Sequence, residues 1–158
     1  MTKAEMLASL AMMKEYFDRS TRVLEEPDSA FAPKEGMFTA AQVVAHVAQT
    51  VDWFFSGAFA AGGFDTDFER MDREVRAITS LTAARKRIEK SFAGAKTAVE
   101  SHTDEEWAAL LPPGPIMGGL PRHVILGALF DHTAHHRGAL TVYSRLRDKV
   151  PPMPYMEM

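Results

Sequence analysis

Apolar positions recur at helical intervals in four separate stretches of this chain. Met6, Leu10, Met13, Phe17 and Leu24 are spaced by three, four or seven residues, the repeat of one helix face. Thr2 and Glu5 stand in front of them at the spacing of a capping box, so the pattern predicts a helix over about residues 3–25. Thr39 and Gln42 repeat that signature, and Val43, His46, Val47, Thr50 and Phe54 then follow one face until Gly62-Gly63 ends the pattern. Leu81, Ile88, Phe92, Ala95 and Val99 mark a third helix over residues 81–101, whose Arg85, Lys86, Arg87 and Lys90 read as a solvated face. A fourth runs from Pro121, a residue favoured in the first helical turn, to about Arg147, ahead of Pro151-Pro152.

The intervening segments are of two kinds. "EEPDSAFAPKEGMF" and "LPPGPIMGGLP" gather prolines and glycines that a helix interior does not tolerate, and read as loops. "FDTDFERMDREVRAITS" is charged and only weakly periodic, which predicts a long crossover with about one helical turn of its own. No run alternates with period two, so strands are not expected. The economical architecture is all-α: a four-helix bundle with a long crossover between helices two and three, forming one domain over residues 1–158.

Composition narrows the function. With 18 Lys and Arg against 21 Asp and Glu, and no one-signed block, neither a nucleic acid nor an anionic membrane is an expected partner. Charges interrupt the apolar N-terminal stretch and no later run is long enough to span a bilayer, so an unexported, cytoplasmic protein is expected. The absence of cysteine fits that compartment. It also removes thiolate ligands and nucleophiles, leaving histidine and carboxylates for any metal.

Three of the six histidines fall within "DHTAHHRGAL", residues 131–140. On a helix, His132 and His136 sit one turn apart, roughly 6 Å along the axis, on the face that carries Ile125, Ala128, Leu129, Leu140 and Tyr143. Two stacked imidazoles can converge on one cation, although Thr133 stands where the H-E-x-x-H motif places its glutamate. His46, inward on helix two, would complete three protein ligands with open positions, a reactive-metal pattern. The competing reading is three hydrogen-bonded core histidines. His135 points elsewhere, toward solvent or a supporting role; Arg137 points outward; His102 and His123 read as surface or capping residues. Gly127 and Gly138 inside the last helix suggest close helix packing, and the loop methionines Met37, Met117 and Met153 could line an apolar site.

The inward His46, the distant "HTAHHRGAL" and the tail "RLRDKVPPMPY" together resemble the DinB/YfiT-like family of small metal-binding four-helix proteins. The most specific part is H-x-x-H-H-R-G, matched by His132, His135, His136, Arg137 and Gly138. The resemblance implies an up-down-down-up bundle, frequent homodimers, and a divalent cation such as Ni²⁺ or Zn²⁺ on three histidines, by position His46, His132 and His136. Ala139 stands where the family usually has glutamine, which puts a hydrogen bond from that amide in doubt.

Some relatives in that family resemble transferases for low-molecular-weight thiols, others mycothiol-dependent isomerases, and many have no assigned activity, so the resemblance leaves the reaction open. One expectation is a metal-dependent transferase that joins a borrowed thiol to an electrophile, since the chain has no sulfur nucleophile of its own. The alternatives are a metal-dependent hydrolase, a non-catalytic metal-binding or stress-related module, and a metal-free bundle that dimerises. An open three-histidine set argues against a purely structural zinc, which normally fills four positions.

Overall fold

A computed structural model describes residues 1–156 and contains six α-helices among them: α1 (Lys3–Thr21), α2 (Ala40–Phe59), α3 (Phe68–Arg76), α4 (Leu81–Ser101), α5 (Asp104–Ala108) and α6 (Ile125–Leu146). The capping signatures are realised. Thr2 and Thr39 each accept from the backbone three residues on, and Glu5 and Gln42 return the bond to the cap N–H. Both long N-termini thereby satisfy donors that the helix itself leaves unpaired.

Four helices build the bundle, with α1 and α2 each packed between α4 and α6. At one end of the α1–α4 pair Lys3 Nζ donates to Glu100 O at 2.8 Å, and at the other Arg85 Nη2 donates to Thr21 O at 2.7 Å, so the two run antiparallel. Between α2 and α6, Tyr143 Oη donates to Phe38 O at 2.9 Å and Arg122 Nε to Ala58 O at 2.8 Å, again an antiparallel pair. α2 and α4 lie parallel, since Phe59 stacks on His102 where both helices end. The order is therefore up-down-down-up, and residues 60–80 must recross the length of the bundle to join two parallel neighbours.

Met6, Leu10, Met13 and Phe17 of α1 meet Ile88, Phe92 and Val99 of α4, Val44, Val47 and Val51 of α2, and Leu126, Leu129 and Leu140 of α6 in one buried core. Burying each large apolar side chain contributes about 1.5–3 kcal/mol, which makes this core the main source of stability.

Several boundaries and assignments differ from the sequence pattern. The first helix stops at Thr21 rather than residue 25, and Leu24 reaches the core from a turn in which its N–H bonds Thr21 O. Arg85 is not solvated: it is half-buried and caps the end of α1 through Thr21 O and Leu24 O, at 2.7 and 3.1 Å. Pro121 opens a 3₁₀ turn, Arg122–Val124, ahead of α6 rather than α6 itself. The crossover carries nine helical residues, α3, started by the Asp67 cap. The short α5 lies outside the four predicted helices, where Thr103 and Glu106 form a capping box and Trp107 anchors the turn in the core. Gly127 and Gly138 have no close helix neighbour, for a Cβ on either would meet nothing within 4 Å.

Candidate metal centre

The antiparallel packing of α2 on α6 gathers the three histidines. His46 follows Val43 on the inward face of α2, and His132 and His136 occupy successive turns of α6 between Leu129 and Leu140. One ring nitrogen from each of the three lies within 4.8 Å of the others. His46 Nε2 and His132 Nε2 are 3.1 Å apart, and the His136 ring is centred 4.7 Å from His46 and 4.4 Å from His132. Thr50, one turn beyond His46, donates to His46 O at 3.0 Å and leaves its oxygen 3.4 Å from His132 Nε2.

Electrostatics keep these rings neutral. Burial holds the His132 imidazole down at about 4 and His136 at about 3, and the neighbouring imidazoles push in the same direction. His46 is lowered by burial too, opposed in part by the carboxylate of Asp72. A neutral imidazole carries one N–H and one lone pair, so three rings facing one another cannot all find donors. His132 Nδ1 is also buried without a hydrogen-bond partner among the described residues. Converging lone pairs, deprotonated at neutral pH, fit a divalent cation of the borderline class that imidazole prefers.

Beside the triad opens a cleft of about 560 Å³, walled by Phe38, Trp53, Phe54, Phe68 and Met71. Its existence depends on the crossover. Trp53 Nε1 donates to Asp65 O at 2.7 Å, and Phe64 lies against α2 where a Cβ on Gly57 would come within 2.3 Å of its ring. That close approach requires glycine at 57 and seats α3 over the cleft, with Phe68, Met71 and Asp72 facing it.

The remaining sequence candidates fall outside this centre. His135 is exposed on the neighbouring side of α6, although its ring packs against His136 at 4.8 Å. Arg137 lies between the rings of Tyr16 and Tyr155, away from the cleft. His102 ends α4, its Nδ1 2.9 Å from Ala98 O, and His123 sits in the 3₁₀ turn. Met37, Met117 and Met153 do not line the cleft; Met71 does. The crossover residues Phe68, Met71 and Asp72 went unrecognised, and the signal that could have found them is Asp67 as a cap before a short, strongly amphipathic run.

With this geometry, the profile of the DinB superfamily matches residues 9–140, a span holding all three histidines. The chain belongs to the DinB superfamily. No curated protein matches it. Among the described residues no helix is long and apolar enough to cross a membrane.

Proposed function

We propose that the chain is a metal-dependent transferase that joins a low-molecular-weight thiol to an electrophile, with His46, His132 and His136 holding a divalent cation, Ni²⁺ or Zn²⁺. The observation that carries this reading is a cluster of three neutral imidazoles, without a carboxylate among them, two of which, His46 and His132, line an apolar cleft. When bound, the cation supplies Lewis acidity, which lowers the pKa of a thiol or water that coordinates it. The protein contributes the rest. The histidines stay deprotonated, the aromatic wall excludes water, and the cleft orients the second reactant beside them. A cation that served only to staple α2 to α6 would need no cleft, so the cleft favours catalysis over a purely structural role, and hydrolysis is the second chemical reading.

The proposal includes a homodimer. Phe130 and Val142 are exposed on α6, and Gly138 between them has open space where a Cβ would stand, which leaves room there for a second chain. Light scattering should return about twice 17.5 kDa; a monomer mass at every micromolar concentration removes the dimer from the proposal.

Metal analysis of untagged protein, followed by thiol conjugation assays, tests the chemistry. Conjugation should scale with bound rather than total metal and disappear in His132→Ala. Metal binding with no thiol conjugation by any common cellular thiol leaves hydrolysis or a non-catalytic role.

A further inference from the structure

Gln49 follows His46 on α2 by three residues and is only 8 % exposed, with its side chain at the wall of the cleft. Both of its amide hydrogens are spent on the crossover helix: Nε2 donates to Met71 O and to Glu74 Oε2, each at 3.2 Å. Turning the amide over would set its oxygen against those two acceptors, so the orientation is fixed. Oε1 accepts no hydrogen bond among the described residues, yet it is not one of the unpartnered polar atoms sealed inside the protein. It therefore faces the cleft with its lone pairs free of protein donors. The other polar groups of the wall are committed. Thr50 donates to His46 O at 3.0 Å and turns its oxygen toward His132 Nε2 at 3.4 Å, the Trp53 N–H is held by Asp65 O at 2.7 Å, and Asp72 is neutralised by its ion pair with Arg76 at 2.7 Å.

We propose that Gln49 is the specificity-determining residue of the cleft, and that it selects flat heteroaromatic ligands carrying a neutral N–H, with the ring against Trp53 and Phe68 and the N–H on Gln49 Oε1. The aromatic wall holds uncharged rings of any composition, so it supplies affinity without choice. The choice comes from the carbonyl. In the open cleft water answers it, and a ring that displaces this water must bring a donor of its own or leave a mostly buried acceptor unpaired. The two bonds to α3 prevent the amide from turning away to escape that cost. A cation on the histidines is compatible with such a ligand, because an N–H nitrogen whose lone pair belongs to the ring neither repels the cation nor ligates it. The volume, about 560 Å³, has room for two fused rings beside the triad. As the class of electrophile, this rests on the transferase reading above. As a binding preference, it does not need the cation.

3-Methylindole and 1-methylindole are isomers of equal size, and only the first has an N–H. Each is titrated by NMR into the full-length chain as purified, with metal content and thiol conjugation measured on the same preparation. 3-Methylindole should bind about tenfold more tightly and shift the side-chain amide resonances of Gln49. Gln49→Met keeps the length of the side chain, removes the carbonyl, and should bring the ratio of affinities to within about twofold of one. That variant also loses two bonds to α3. Glu74→Ala loses one of them but keeps the carbonyl, still oriented by Met71 O, and should retain a ratio of at least about fivefold. A wild-type ratio near one, a ratio unmoved in Gln49→Met, a ratio lost equally in Glu74→Ala, or no binding of either isomer overturns the proposal. The wild-type ratio and the amide shift test it even where a variant fails to fold. A Gln49-dependent ratio in protein that holds no metal and conjugates no thiol upholds the proposal and defeats the transferase reading alone.

Discussion

α6 carries a cluster of ionisable groups at its middle and leads into another at its end, and the two are built to opposite plans. At the end, Asp28 is fully buried and every oxygen is answered: Arg147 Nε bonds Oδ1 at 3.1 Å, Lys149 Nζ bonds Oδ2 at 2.6 Å, and the Glu25 N–H bonds Oδ2 at 2.8 Å. At the middle, His46, His132 and His136 face one another with too few hydrogens, and His132 Nδ1 has no partner among the described residues. A closed network of opposite charges fastens the chain after α6 to the chain after α1. A set of like, neutral and underbonded groups beside a cleft costs stability unless something else binds there, which is the mark of a functional site.

Breaking each cluster should therefore hurt a different property. The largest effect is expected at the triad: alanine at His46, His132 or His136 should weaken cation binding by at least about a hundredfold, since each removes one of three ligands. Isothermal titration with Zn²⁺ or Ni²⁺ checks this, and metal content equal to wild type in all three variants refutes the ligand assignment.

Asp28→Asn should leave cation binding intact and lower stability by on the order of 2 kcal/mol, because two charged hydrogen bonds are weakened at a buried site. For a chain of this size that corresponds to a melting temperature lower by about 4–8 °C. An unchanged melting curve would mean that the Asp28 network is ornamental.

The two clusters should also fail in different pH windows. The triad imidazoles have folded pKa values lowered to about 4 for His132 and about 3 for His136, against 6.5 for an unperturbed histidine. Only the unfolded chain takes up their protons between those limits, so metal-free protein should lose stability as the pH falls from 6.5 toward 4. Asp28 has a lowered folded pKa, and its contribution is present above its ordinary value of 3.8 and lost on further acidification through the folded value. Urea midpoints measured in chelator across pH 4–7 should slope in wild type and in Asp28→Asn, but slope less in His136→Gln. Equal slopes in all three would detach the pH response from the triad.

The smallest effect is expected for the histidines outside both clusters. His102→Ala and His123→Ala should change cation affinity by less than about twofold, as neither ring reaches the centre. A larger loss in either would show that the centre extends beyond α2 and the middle of α6.

How much of this was legible beforehand follows from the range of the interactions involved. The four long helices and the capping boxes at Thr2 and Thr39 are set by neighbours within a few residues, and the sequence pattern predicted them. The pairing of His132 with His136 was equally legible, because one helical turn relates them wherever the helix lies. The inward position of His46 could be read from its stripe. Its arrival within hydrogen-bond distance of His132 depended on α2 and α6 packing antiparallel in register, which residues 86 positions apart cannot encode locally. The cleft was least visible. Its wall comes from α3, whose weak period and high charge conceal a short helix held down by Trp53, Phe64 and the bare backbone of Gly57. The sequence by itself determined helices, caps and a pair of stacked imidazoles, since these obey the fixed geometry of one helix. Tertiary structure alone decided that a third imidazole meets the pair, that Asp72 faces an aromatic cleft, and that Arg85 is a cap rather than a surface charge, because each requires two distant segments to be brought together by burial of the core between them.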